Sequence, residues 1–232
     1  MYMLESLDMK ESHRHVFTSE SVSEGHPDKV ADRISDAILD ACLAKDRNAR
    51  VACETMVAPN LVMNAGEITC HGFEDVNTGA IAREVAKKIG YDRESEGFAW
   101  NTFIYMSALH GQSPDIAQGV NRSKRMKQGA GDQGMMFGYA SNETKELMPA
   151  PIMWSHAMLA HFAKMRKKGT MPFLRPDSKG QISVVYESGK PLAIDTVVLS
   201  HQTTEEGACA KCYKAMEEAA RDFLAKTRLL TN

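Results

Sequence analysis

The order of helical and extended stretches constrains this chain most, because nearly the same series occurs twice. His15-Val16-Phe17-Thr18 reads as a short strand. Val30, Ile34, Ile38, Ala41 and Cys42 recur at helical spacing, with Pro27 suited to a first helical position, and this helix runs to about Lys45. Residues 49–58 and 61–70 read as two strands rich in Val, Thr and Met, joined at Ala58-Pro59-Asn60. Ile81, Val85 and Ile89 mark the next helix, stopped by Gly90, and 101–109 reads as a strand. A Gly-rich stretch from Gly111 to Gly138 follows, and the series begins again. A strand is expected at about 133–140 and a helix from Pro149/Pro151 to Gly169. Two more strands, 181–187 and 191–200, flank a Ser188-Gly189-Lys190 turn, and a last helix spans about 204–226. The result is β-α-β-β-α-β followed by β-α-β-β-α. The repeat lies in element order, with no matching residues between the halves. It predicts an α/β chain (two-layer α+β) of repeated units, the second without its closing strand.

Composition removes several function classes. Of 232 residues, 43% are hydrophobic and 25% charged, as in an ordinary globular protein long enough to bury a core. The net charge of -2, with both signs mixed, gives no reason to expect a nucleic acid or a membrane surface as partner. The apolar runs are too short to span a bilayer. Residues 1–13 read as a flexible, polar leader and not a signal peptide, which makes the cytoplasm the expected location. The five cysteines, Cys42, Cys53, Cys70, Cys209 and Cys212, are odd in number and scattered, which argues against a disulfide framework. Cys209-x-x-Cys212 has metal or redox spacing, but it lies in a helical stretch with no second Cys or His pair nearby. A plain helix is therefore expected there.

Five segments carry residue types suited to chemistry. Thr18-Ser-Glu-Ser-Val-Ser-Glu-Gly-His26-Pro-Asp28-Lys29 leads into the first helix, whose free N–H groups suit phosphate. His26 and Lys29 can contact an anion and Asp28 can hold Mg²⁺, or the segment is simply a polar cap. Glu54 and Glu67 sit on the first two hairpin strands, where a carboxylate can bind a cation or an amino group, or face water. Gly129-Ala-Gly131-Asp132-Gln133-Gly134 matches G-x-G-x-x-G, but no apolar strand precedes it and no helix follows. A dinucleotide fingerprint is rejected, leaving glycines that allow close backbone approach and an Asp132 presented from a loop. Gln112-Ser113-Pro114-Asp115-Ile-Ala-Gln-Gly119-Val-Asn-Arg122 reads as a mobile loop able to close over a site, or as a surface linker. Leu174-Arg175-Pro176-Asp177-Ser178-Lys179 reads as a loop whose charges can meet phosphate or metal, or as a solvated turn.

In this order the segments closely resemble S-adenosylmethionine synthetases. The matching strings are FTSESVSEGHPDK at 17–29, ARVACET at 49–55, GEIT at 66–69, GQSPDIAQGV at 111–120, QGAGDQGMMFGYASNET at 128–144, LMPAPI at 147–152 and LRPDSKGQ at 174–181. The resemblance implies three similar α/β units, each a sheet with helices on one face, of which this chain carries the first two. It divides the chain into an N-terminal domain at 14–112, a mobile active-site loop and linker at 113–127, and a central domain at 128–232. It implies an active site between two subunits, with ATP, L-methionine, Mg²⁺ and K⁺. By the same motifs, His26 and Lys29 would be catalytic, with His26 stabilising the leaving triphosphate. Asp28 would bind Mg²⁺ and Glu54 K⁺. Glu67 would take the methionine ammonium and Gln112 its carboxylate. Gln112, Ser113, Pro114, Asp115, Gly119 and Arg122 would form the lid, and Asp132, Asp177 and Lys179 would line the ATP site.

The resemblance fades from about Thr203, and the family's later segments GGPxGDxGLTGRK and GGGAFSGKD are absent. About half a site is therefore expected here. A triphosphate carries roughly four negative charges, and losing one preorganised donor costs ~10²–10³ in rate. Little activity is expected from this chain alone. It reads as one part of an enzyme that shares its active site with a further copy or a related synthetase chain and takes the missing part from a separate subunit, as a truncated enzyme, or as a noncatalytic binding or assembly subunit. A sheet face without its third unit should be poorly soluble unless another chain covers it.

Overall fold

The computed structural model describes residues 14–111, 133–227 and 229. The chain divides into two compact units, one over Met1–Ser23 and Tyr139–Asn232, the other over Glu24–Gly138. Among the described residues, each holds a three-stranded sheet and two α-helices.

The Glu24–Gly138 unit contains α1 (Pro27–Lys45), β2 (Arg50–Ala58), β3 (Leu61–Thr69), α2 (Thr78–Ile89) and β4 (Ile104–His110). β2 and β3 form a two-residue hairpin. Pro59 fixes the first turn position and Asn60 takes φ 54 at the second, the demand of a type II turn. α2 then carries the chain across to β4, which pairs parallel to β3. Val30, Ile34, Ile38 and Cys42 form the buried stripe of α1. They meet Ala82, Ala86 and Ile89 of α2, Val62 and Ile68 of β3, and Phe103. Among these, Val30, Ile34, Ile38, Cys42 and Ile89 were legible from spacing.

The other unit contains β1 (Arg14–Val22), α3 (Ala150–Lys167), β5 (Leu174–Glu187), β6 (Lys190–Thr203) and α4 (Ala210–Leu224). β5 is central: β1 pairs antiparallel on one side and β6 on the other. Ser188 (φ 52) and Gly189 (φ 76) make a hairpin turn with both central residues left-handed, which matches the twist of the two strands. Met158 and Phe162 of α3, Ile182, Val184 and Tyr186 of β5, and Met216 and Leu224 of α4 form its core.

Three expectations are corrected. No strand forms at 133–140. Among the described residues that segment has no regular structure, and Met136 and Phe137 are about nine-tenths exposed. The edge of the β5 sheet is instead filled by β1, from far earlier in the chain, so β1 sits in the unit of the second series and not the first. Residues 174–179, read as a loop or turn, are the start of β5. Pro176 fits there because the β5–β6 register breaks between Leu174 and Ser178, where the ladder does not need its missing N–H. The final helix is shorter than expected, with 3₁₀ turns at Glu205–Gly207 and Ala225–Thr227 on either side. The leader at 1–13 and the loop at 113–127 lie outside the described residues.

Candidate functional site

In the Glu24–Gly138 unit, His26 caps α1. Its Nδ1 accepts the Asp28 backbone N–H at 3.3 Å, and Pro27 occupies the first turn, where its missing N–H costs nothing. With Nδ1 accepting, a neutral ring carries its proton on Nε2 and presents it as a donor. The Asp28 carboxylate lies 3.7 Å from Nδ1 and is 87% exposed, so it is open to a cation. Lys29 follows, half-buried. The segment entering the helix is tied down by the Tyr91 hydroxyl, which donates to the Gly25 carbonyl, and by Arg33 Nη1 donating to Glu24 Oε2 at 3.2 Å.

Glu54 and Glu67 share the sheet face opposite the helices. On β2 the exposed residues are Ala52, Glu54 and Met56, while Val51, Cys53 and Val57 pack against the helical core. The register aligns Ala52, Glu67 and His110 in one row, Glu54, Ala65 and Ala108 in the next, then Met56, Met63 and Met106, then Ala58, Leu61 and Ile104. The two glutamates are thus diagonal neighbours on adjacent strands. Met56, Ile104 and Met106 are at least half exposed. Gly66, just before Glu67, has φ 133, and a Cβ there would lie 2.1 Å from the Ala52 carbonyl oxygen. The glycine of GEIT is required by this close crossing.

On the opposite face, a polar chain absent from the sequence reading runs through the layer. The Ser35 hydroxyl lies 2.7 Å from Thr55 Oγ1, Asn64 Nδ2 donates to Thr55 Oγ1 at 2.7 Å, and the Tyr105 hydroxyl contacts Asn64 Oδ1 and Thr78 Oγ1, each at 2.7 Å. Asn64 is fully buried, so its amide depends on these partners. Burial raises the Tyr105 hydroxyl above its ordinary range. The available signal was a single polar residue at an inward position of β3.

In the other unit, two motif strings lie side by side as paired strands. Glu20 opposes Gln181, Ser21 opposes Gly180 and Val22 opposes Lys179. Ser23 closes the pairing: its N–H donates to the Ser178 carbonyl at 2.9 Å and its hydroxyl to the Pro176 carbonyl at 2.8 Å. Lys179 is exposed, Asp177 half-buried and Arg175 buried. Ser178 Oγ is buried with no hydrogen-bond partner among the described residues. Glu143, in the ASNET string, accepts from the Ala150 N–H at the start of α3 (2.9 Å), the Ser141 hydroxyl (2.8 Å) and the Tyr186 hydroxyl. Burial pushes this carboxyl up, but those three donors outweigh it and hold it below the usual range. Burial and the Glu143 carboxylate drive the Tyr186 hydroxyl well up.

A groove of about 710 Å³ runs between β6 and α4, lined by Val197, Leu199, Tyr213, Met216 and Arg221 among others. None of the sequence-predicted site residues borders it. Gln112, Ser113, Pro114, Asp115, Gly119, Arg122 and Asp132 lie outside the described residues. His26, Asp28 and Lys29 gather at one helix start, and Glu54 and Glu67 gather on one sheet face of the same unit. Asp177 and Lys179 belong to the other unit. No three His, Cys, Asp or Glu side chains gather as metal ligands among the described residues. No described helix is long and apolar enough to cross a membrane.

Two family models match the chain: the S-adenosylmethionine synthetase N-terminal domain over residues 14–114 and the central domain over 127–231. The S-adenosylmethionine synthase of Treponema denticola is 56% identical over 190 residues, 80% of this chain and 48% of that protein. That of Solidesulfovibrio magneticus is 54% identical over 192 residues, covering 83% and 49%, and that of Nitratidesulfovibrio vulgaris 50% over 204 residues, covering 88% and 52%. The chain spans about half the length of the curated relatives it matches.

Proposed function

Because the chain belongs to the S-adenosylmethionine synthetase family, we propose that it forms S-adenosylmethionine from ATP and L-methionine, with the triphosphate cleaved to phosphate and diphosphate, as one part of an enzyme completed by a second synthetase chain. The observation that carries this reading is the pair Glu54 and Glu67 on a sheet face that the α-helices of their own unit leave open, beside a row of three methionines. Two carboxylates that bind a cation and an ammonium need further walls around them. An open apolar row next to them supplies the contact by which another chain builds those walls.

The chemistry sets the remaining roles. The methionine sulfur is a neutral nucleophile and needs no general base. The protein's tasks are to align sulfur, ribose C5′ and leaving oxygen, and to stabilise the charge growing on the triphosphate. His26 would donate from Nε2 to that charge, with Lys29 and the free N–H groups of α1 adding to it. Asp28, an exposed hard oxygen donor, fits Mg²⁺, which keeps few protein ligands and shares its shell with phosphate oxygens. Bound Mg²⁺ supplies charge neutralisation. Glu54 fits K⁺ as an oxygen donor, Glu67 would hold the methionine ammonium and Gln112 its carboxylate. Residues 112–122 would close over the substrates, and Asp132, Asp177 and Lys179 would contact ATP.

The test is to supply ATP, L-methionine, Mg²⁺ and K⁺ to the 232-residue chain, alone and mixed with an intact synthetase chain carrying an inactivating substitution, and to measure S-adenosylmethionine and phosphate. Turnover is expected in the mixture and should fall by ~10²-fold or more with His26→Ala or Asp28→Ala. Full turnover by the chain alone, or indifference to both substitutions, would overturn the assignment.

A further inference from the structure

The N-terminus of α4 holds two cysteines that the reaction above does not use. Cys209 is the N-cap and Cys212 stands one turn on. Their sulfurs are 3.1 Å apart, and both side chains are half-exposed. Backbone contacts fix the pair from both sides. The Gly207 N–H donates to the Thr204 carbonyl ahead of it, and the Tyr213 N–H donates to the Cys209 carbonyl as the first bond of the helix. Gly207 is buried, with no room for a Cβ between Phe173 and Thr203. Cys212 Sγ also lies 3.9 Å from the Glu206 carbonyl oxygen. A disulfide needs the sulfurs to close by only about 1 Å.

We infer that Cys209 and Cys212 form a thiol–disulfide exchange pair, a modification site that takes a low-molecular-weight disulfide as its oxidant. Cys209 is the attacking group and Cys212 the resolving one. The Cys212 thiol against its sulfur holds Cys209 below the usual thiol range. The N–H groups of Cys212 and Lys211 and the Lys211 charge act in the same direction, although no backbone N–H completes a cap hydrogen bond to that sulfur. Cys212 is raised by the same contact. The remaining cysteines offer a contrast. Cys42 is buried and pushed up to about 11 by burial and by Cys70, and burial also raises Cys53.

The Cys209 thiolate attacks one sulfur of the oxidant RSSR, forming a mixed disulfide and releasing RS⁻. Cys212 then loses its proton and attacks Cys209 Sγ, closing the protein disulfide and releasing the second RS⁻. Two protein thiols are oxidised and one disulfide is reduced to two thiols.

The experiment is to reduce the full chain, titrate it with oxidised glutathione at neutral pH, alkylate the remaining thiols and map the products by peptide mass spectrometry. The first product should be the Cys209–Cys212 disulfide, with Cys42, Cys53 and Cys70 still alkylated. Cys212→Ser should stop at a glutathione adduct on Cys209, formed about tenfold faster than any adduct on Cys70. Cys209→Ser should slow adduct formation at Cys212 to the rate at Cys70. A glutathione adduct that persists on Cys209 in the unmodified sequence would overturn the inference. So would a first disulfide elsewhere, or equal rates at Cys209 and Cys70 in Cys212→Ser.

Discussion

The described residues of the two units form like parts, three strands and two α-helices in each, yet the units treat their middle strands in opposite ways. β3 alternates: Val62, Asn64 and Ile68 are buried against helices, while Leu61, Met63 and Glu67 face the open side. β5 is buried at residues of both parities from Ile182 to Tyr186. The sheet of β2, β3 and β4 leaves one face uncovered by the helices of its own unit. The other sheet spends its middle strand on core, and its charged motif residues appear where the register breaks near the strand's start. Element order alone therefore does not say where a unit presents its chemistry. That depends on which face stays uncovered.

Five substitutions separate the two designs. The largest effect is expected at Phe162→Ala in the β5 unit, a fully buried ring whose loss should cost about 3–5 kcal/mol in urea unfolding. Hydrogen exchange in the same variant should rise in β5 and β6, and comparable loss of protection in β2 and β3 would show that the units do not open separately. Next, Gly66→Ala should cost about 3 kcal/mol or more, because its φ and its approach to Ala52 both exclude a side chain. Gly189→Ala, left-handed but in open space, should cost about 1 kcal/mol. Equal losses at the two glycines would remove the argument for a close crossing. Third, Tyr105→Phe should cost about 1–2 kcal/mol by stranding groups on Asn64 and Thr78, read as a shift in urea midpoint without a change in slope.

The smallest effect is expected from Glu143→Gln, and it should depend on pH. Glu143 is depressed in the folded chain, so its contribution is present above the unfolded glutamate value of about 4.3 and is lost as pH falls through the lower folded value. The stability gap between the two proteins should be full at pH 7 and close in acid. A gap that persists at low pH would mean the carboxylate charge is not what caps α3.

Much of this was legible along the chain. The helices at Pro27–Lys45 and Thr78–Ile89 and the β2–β3 hairpin follow from spacing and turn residues that act over one or two turns of chain. Asn64 was not legible as the centre of a polar chain, because its partners Thr55, Tyr105 and Thr78 come from three other elements. Residues 133–140 carried an extended pattern, Met135-Met136-Phe137, but β1 takes the place beside β5. The Cys209-x-x-Cys212 spacing was plain, and the 3.1 Å between its sulfurs was not, since rotamers at a helix start are set by the surroundings.

The residue order by itself fixed the family strings, the helical stripes and the turn chemistry, because these rest on neighbours a few positions apart. Only the tertiary structure decided that β1 pairs with β5 across more than half the chain, and that Glu54 and Glu67 lie on one open face. Strand partnering and face exposure are settled by competition among distant segments for hydrogen bonds and apolar cover, and no local pattern encodes the winner.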